Sequence, residues 1–321
     1  MISPYTGISS EVKIIYIASA NRSGSTLLGK LLGSHPQIYF LGELRNLRAY
    51  LTDNRRFFNP VYPLKCACSA RVPECPFWRA VLQQAAMQTN VPEFNYRFTL
   101  GRVRATEADR VRRKFEKHFF ATHPKWFTNR IVQFLMGYHT VSENCFRLYD
   151  ALAKVSGRNL ILDSSKQPNR IDALYKFFPE NIRILELYRH PYAVVHSMMK
   201  RGLTLAQATE NLTRDYEQNR VFLGDIPGNQ VLKIRYEDIC GDPSFELQKI
   251  CAFLSIPFHE EILSGAGVGP VHCIGGSPSQ FAFDPGRIKD KKEYASELSS
   301  NDKQMIYRKT SDAAKKLGYE F

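Results

Sequence analysis

The chain has 321 residues, with 44 Lys and Arg against 31 Asp and Glu, a formal charge of +13 at neutral pH. A hydrophobic share of 44% and a charged share of 23% are ordinary globular values, so disorder, collagen and low complexity are excluded as descriptions of the whole chain. The length supports one large domain or two modest ones, with a core that needs no staples.

No apolar run approaches the roughly 18 residues of a membrane helix. The N-terminal stretch lacks a basic segment followed by an apolar one. A cytoplasmic location is the resulting expectation. Excess positive charge favours anionic partners, namely nucleic acid, a membrane surface or a phosphorylated small molecule, and does not choose among them.

Taken in chain order, residues 13–20 (KIIYIASA) read as a buried strand. From 25 to 34 the spacing of Leu27, Leu28, Leu31 and Leu32 is helical, and His35-Pro36 stops the helix. Residues 45–157 are dominated by Arg, aromatic residues and helical spacing, and read as a helical, acceptor-binding insertion within a single domain spanning 1–321. Helices are expected from Pro76 to 87, over 126–136 and over 142–155. Phe57, Phe58, Tyr62, Trp78, Trp126 and Phe127 pack a core or, as the second reading, line an acceptor pocket.

The strongest basic run, 102–117, places Val111, Phe115 and Phe119 on one helix side. A solvated helix face is its simpler reading, and a phosphate or nucleic-acid surface the other.

Beyond the insertion, strands at 159–163, 182–188 and 230–234 alternate with helices at 169–178, 191–200, 204–223 and 245–254. This rhythm predicts an α/β fold, three layers with a central parallel sheet and helices on both faces. Ligands of such sheets sit at the carboxyl ends of the strands, which singles out the loops at Asn21, Asp163, Arg189 and Arg235.

The first of these loops, Asn21-Arg22-Ser23-Gly24-Ser25-Thr26-Leu27, is polar, contains glycine and opens a helix. Successive backbone N–H groups at such a start cradle an anion, and the Arg22 guanidinium can grip two oxygens at once. A competing register, Gly24 through Lys30, fits the GxxxxGK loop of nucleoside triphosphate enzymes with Asp163 as a Mg²⁺ ligand. Leu31 then stands where Ser or Thr is needed. That alternative is a nucleotide kinase or NTPase. A nucleic-acid binder using 102–117 is the third reading.

After the strand at 182–188 come Arg189, Ser197 and Arg201, the last four residues beyond Ser197 and expected on the same helical face. An Arg, a hydroxyl and a second Arg suit one phosphate group. Two anion sites at two strand ends suggest a ligand with separated phosphates.

In these motifs the sequence resembles the P-loop sulfotransferases that use 3′-phosphoadenosine 5′-phosphosulfate, and is most similar to the branch with tyrosylprotein sulfotransferases and many bacterial members. Arg22 to Leu28 resembles their 5′-phosphosulfate loop and Arg189 to Ser197 their 3′-phosphate motif. Lys233-Ile234-Arg235-Tyr236-Glu237-Asp238 resembles their strand ending in YED. The resemblance implies sulfuryl transfer to an acceptor hydroxyl of a carbohydrate, a lipid or small molecule, or tyrosine. It implies the phosphosulfate nucleotide as cosubstrate and the bisphosphate as product, with no metal required and no nucleic-acid partner.

The resemblance also implies that Arg22, Ser23, Gly24, Ser25, Thr26 and Leu27 hold the 5′ group. Arg189, Ser197 and Arg201 hold the 3′-phosphate, and Tyr236 and Ser277 border the nucleotide. Glu43, in a GE motif after a short strand, is the implied general base, and Lys166 the group near the transferred sulfuryl. If the site is dry, Glu43 is expected to titrate upward. The C-terminal loop GGSPSQ departs from the family's GN…R pattern, which leaves Arg287, Lys289 or Lys292 to close over the nucleotide.

His35, His190 and His196 read as caps or packing residues, and His272 as a residue that can line the active site from the C-terminal loop. Cys66, Cys68 and Cys75 read as free thiols or one disulfide; zinc with a distant fourth ligand, such as His118 or His123, is the other reading.

Overall fold

The computed structural model describes residues 12–52, 64–87, 138–264, 272–275, 288–290 and 292–321. Five parallel strands form its sheet: β1 (Lys13–Ser19), β2 (Ile38–Gly42), β3 (Leu160–Lys166), β4 (Ile182–Tyr188) and β5 (Val231–Arg235), in the spatial order β2-β3-β1-β4-β5. β1 is central and buried along nearly its whole length, which is why its sequence is an unbroken Ile-rich run without polar alternation.

Its side chains still alternate between two cores. Ile14, Tyr16 and Ala18 face one layer, and Ile15 and Ile17 the other. The second layer is built on α1 (Ser25–Gly33) and later helices. The first takes α2 (Leu47–Thr52), α3 (Pro76–Met87) and α4 (Tyr138–Ser156), which lie in chain order between β2 and β3, and α5 (Pro168–Phe177). Trp78 of α3 is fully buried there. The three-layer α/β/α architecture follows.

α6 (Pro191–Met199) follows β4, with proline in its first turn and the His190 side chain accepting from the Tyr192 N–H as cap. α7 (Leu205–Leu223) begins with a reciprocal box between Thr204 and Gln207. β5 leads into the short α8 (Tyr236–Gly241), then α9 (Pro243–Leu254). The C-terminal α10 (Tyr294–Glu297) and α11 (Ser300–Lys315) complete the chain. Among the described residues no helix is long and apolar enough to cross a membrane. The segments 102–117 and 126–136 lie outside the described residues, as do Phe57, Phe58, Tyr62, His118, His123, Ser277 and Arg287.

Candidate active site

The loop after β1 turns through two left-handed residues, Arg22 at φ 73° and Gly24 at φ 96°. Gly24 is the N-cap of α1 and brings no side chain to cap its first amides, which leaves that helix start suited to an anion. Its missing side chain has a second use: a Cβ on Gly24 would lie 2.3 Å from the Tyr236 ring. Tyr236 in turn carries the Arg189 guanidinium 4.3 Å above its ring.

Arg189 stands at the carboxyl end of β4 and donates to the Arg22 carbonyl at 3.4 Å; Arg22 Nε donates to Ser197 Oγ at 3.0 Å. The predicted anion loops thus meet. Among the described residues the buried Arg189 Nε has no hydrogen-bond partner. Glu237 braces this corner: Oε1 accepts from the His190 N–H at 2.8 Å and Oε2 from the Tyr319 hydroxyl at 2.9 Å.

Arg201 lies just past α6, which ends at Met199; its N–H closes a turn on the Met198 carbonyl, and the residue is exposed. Lys289 and Lys292 are exposed. Among the described residues of that run an acid, Asp290, reaches Arg189 at 3.8 Å.

The second half of the site lies where β2 and β3 end. Register shifts occur between Phe40 and Gly42 in the β2–β3 pairing, and between Tyr16 and Ala18 in the β1–β3 pairing, where Lys166 takes φ 66°. These irregularities aim Glu43 and Lys166 at each other: Lys166 Nζ meets Glu43 Oε1 at 2.5 Å, with Glu43 buried and Lys166 nearly so. Glu43 Oε2 accepts from Arg45 Nη2 at 2.9 Å and from Asn46 Nδ2 at 2.9 Å.

Burial by itself would raise the Glu43 carboxyl, but Lys166 and then Arg45 overcome it and hold it at about 2. The upward titration expected from a dry site is therefore corrected. Glu43 is buried, but Lys166 and the partly exposed Arg45 lie against it.

Asp163 is not available to a metal. Its Oδ1 accepts from the Ser165 N–H and Oγ, and its Oδ2 from the Tyr149 hydroxyl at 2.7 Å. Ser165 Oγ then receives the Arg45 N–H at 3.1 Å, so Asp163 braces the Glu43 loop from inside. Lys30 lies well inside α1, because the helix already begins at Ser25. The triphosphate-loop register is thereby overturned, since it needs residues 27 and 28 in a loop.

Sequence reasoning missed Asp215 of α7. Burial raises its carboxyl, while Arg214, the Asn21 N–H, Arg45 and Lys166 pull the other way, which puts it beside the first loop and the cation cluster. Asp215 lies in the middle of a long amphipathic helix, where no local pattern marks it. His272 also differs from expectation. It turns towards Cys75, with Nδ1 at 3.2 Å from the sulfur.

A sequence model described as the Sulfotransferase family matches residues 15–260. The fold is similar to the sulfotransferase domain of the Synechococcus PCC 7002 olefin synthase, with a TM-score of 0.58 and 20% identity, covering 96% of this chain and 95% of that one. It is also similar to the sulfotransferase domain from the curacin biosynthetic pathway, with a TM-score of 0.52 and 20% identity over 94% of this chain and 98% of that one. No curated protein gave a significant sequence match. With the family matched over most of the chain and both phosphate-type loops joined at the sheet's carboxyl end, the chain belongs to the sulfotransferase family.

Proposed function

We propose that the protein transfers the sulfuryl group of 3′-phosphoadenosine 5′-phosphosulfate to an acceptor hydroxyl by in-line displacement. The observation that carries this reading is the convergence of Arg22, Ser197 and Arg189 beside the buried Glu43 and its partner Lys166. Arg22 and the loop Ser23, Gly24, Ser25, Thr26 and Leu27 hold the 5′ group. Arg189, Ser197 and Arg201 take the 3′-phosphate, and Tyr236 borders the nucleotide. Asp290 has to yield to that phosphate, because it stands 3.8 Å from the same guanidinium.

In the reaction the bond from sulfur to the bridging phosphate oxygen breaks and a bond from sulfur to the acceptor oxygen forms. The acceptor proton passes to Glu43. The charge left on the phosphate is met by Arg22, the loop amides and Lys166.

The Glu43–Lys166 contact gives this chemistry a built-in exchange. While Lys166 is on Glu43 the carboxylate is a weak base. Once Lys166 turns to the bridging oxygen, the carboxylate loses its nearest cation and its proton affinity rises. The acceptor is a carbohydrate, a lipid or other small molecule, or tyrosine.

Thermal unfolding tests the reading. Adenosine 3′,5′-bisphosphate at a hundred times its Kd, without added metal, should stabilise the protein by about 2.7 kcal/mol, while ATP with Mg²⁺ or an oligonucleotide should not. Stabilisation by ATP with Mg²⁺ and none by the bisphosphate overturns it.

A further inference from the structure

The four ligand atoms of Cys66, Cys68, Cys75 and His272 lie within 4.8 Å of one another. Cys68 Sγ is 3.7 Å from Cys75 Sγ, which is 3.9 Å from Cys66 Sγ; His272 Nδ1 is 3.2 Å from Cys75 Sγ and 3.7 Å from Cys66 Sγ. A tetrahedral zinc with Zn–S near 2.3 Å and Zn–N near 2.05 Å requires sulfurs about 3.8 Å apart and a nitrogen about 3.6 Å from each sulfur. The observed separations bracket both values. They are far from the roughly 2.05 Å of a disulfide, and three thiols cannot all be paired within the cluster.

The surroundings are built to hold this arrangement. Cys66 and Cys68 sit on a tight turn that is closed by a Lys65–Arg71 bridge and by the Cys66 N–H on the Ala70 carbonyl, with Ser69 at φ 71°. Cys75 precedes α3 and is fully buried, as is Cys66. The His272 ring stacks flat on Phe77, with centroids 4.9 Å apart, and its carbonyl accepts from Trp78 Nε1 at 2.9 Å, so the imidazole is fixed with Nδ1 towards the sulfurs.

We infer that Cys66, Cys68, Cys75 and His272 form a structural Zn²⁺ site. Soft thiolates with one imidazole in a tetrahedral array select zinc over Mg²⁺ or Ca²⁺, and four protein ligands leave no open position for catalysis. Binding releases the three thiol protons and leaves the site with a single negative charge. The fourth ligand is thus His272, from far along the chain.

The metal clips three segments together: the 64–71 turn, the start of α3 and residues 272–275. The last of these is the one that holds the base loop. Ile274 pairs in parallel with Gly42, its carbonyl accepts the Glu43 N–H at 2.7 Å, and the Gly275 N–H donates to the Tyr50 hydroxyl at 3.0 Å. The clip stands whatever the site transfers, and its test reads metal, not turnover.

The full chain, purified from zinc-supplemented cells, should carry one zinc per chain by elemental analysis. Replacement by Co²⁺ should give the visible spectrum of a tetrahedral thiolate complex. Cys68→Ser and His272→Ala should lower zinc occupancy at least tenfold after dialysis against a mild chelator, and chelator-stripped wild type should unfold at lower temperature and recover with added Zn²⁺. If a variant fails to fold, the Co²⁺ spectrum and zinc content of the wild-type chain decide. A folded wild-type chain without zinc that yields no tetrahedral Co²⁺ spectrum, or undiminished zinc in both folded variants, overturns the site.

Discussion

Arg22 donates from Nε to Ser197 Oγ at 3.0 Å, a bond that joins the loop after β1 to the helix after β4 across 175 residues of chain. The same arginine receives Arg189 on its carbonyl. One side chain therefore belongs to both anion loops, and a change at either loop propagates to the other.

Ser197→Ala removes the acceptor that orients Arg22. A hydrogen bond to a charged group contributes about 1.5–3 kcal/mol, so affinity for adenosine 3′,5′-bisphosphate should fall roughly 10- to 150-fold. Arg22→Ala should cost more, because it also deletes the charge. Calorimetric titration of the two variants checks this. Wild-type affinity in Ser197→Ala would show that the bond does not organise the loop for ligand.

The buried acid makes a prediction about pH. Glu43 titrates at about 2 in the folded chain, against 4.5 as the ordinary value, because Lys166 and Arg45 outweigh its burial. A depressed carboxyl stabilises the fold above its unfolded pKa, and that stabilisation fades as pH falls from about 4.5 towards 2. In urea unfolding, Glu43→Gln should be less stable than wild type at pH 7, with the difference shrinking between pH 5 and pH 3. A difference independent of pH would place the stabilisation elsewhere. Turnover by the same variant should be lost at pH 7 with bisphosphate affinity nearly unchanged.

The sheet and its loops were legible because each rests on local pattern. An Ile-rich run buried on both faces, a polar loop and a leucine stripe read as β1, loop and α1, and Pro191 marked the start of α6. What the sequence left open depends on partners distant in the chain. The Glu43 pKa is set by Lys166, 123 residues away, and the cysteine cluster is completed by His272, 197 residues from Cys75. No spacing rule links such residues. Asp215 stayed hidden for the same reason.

Gly24 and Tyr236 form the floor of the proposed nucleotide site. Alanine at 24 would set a Cβ 2.3 Å from a ring held beneath Arg189, at a φ of 96° that side chains rarely adopt. The strained backbone alone costs about 1–3 kcal/mol, and relief by moving the ring would displace Arg189. Gly24→Ala should therefore lower both the urea midpoint and bisphosphate affinity. Tyr236→Leu should lower affinity with a smaller loss of stability. Equal effects of the two changes on both measurements would mean that the ring serves the fold alone.

Gly42 tests the link between the sheet and the base loop most directly. Its φ is 87°, and a Cβ there would fall 2.0 Å from the Ile274 carbonyl oxygen, which is backbone and cannot swing aside. The carbonyl under threat is the one that accepts the Glu43 N–H, so Gly42→Ala must lift residues 272–275 off the end of β2 or rotate Glu43 away from Lys166. Either movement leaves Arg22, Ser197 and Arg189 in place, since they lie at the ends of other strands. The variant should keep bisphosphate affinity within about threefold while turnover falls by at least a hundredfold, roughly 2.7 kcal/mol of transition-state stabilisation. Calorimetry and steady-state kinetics on one preparation separate the two effects. Parallel losses of affinity and turnover would mean that both halves of the site share one support.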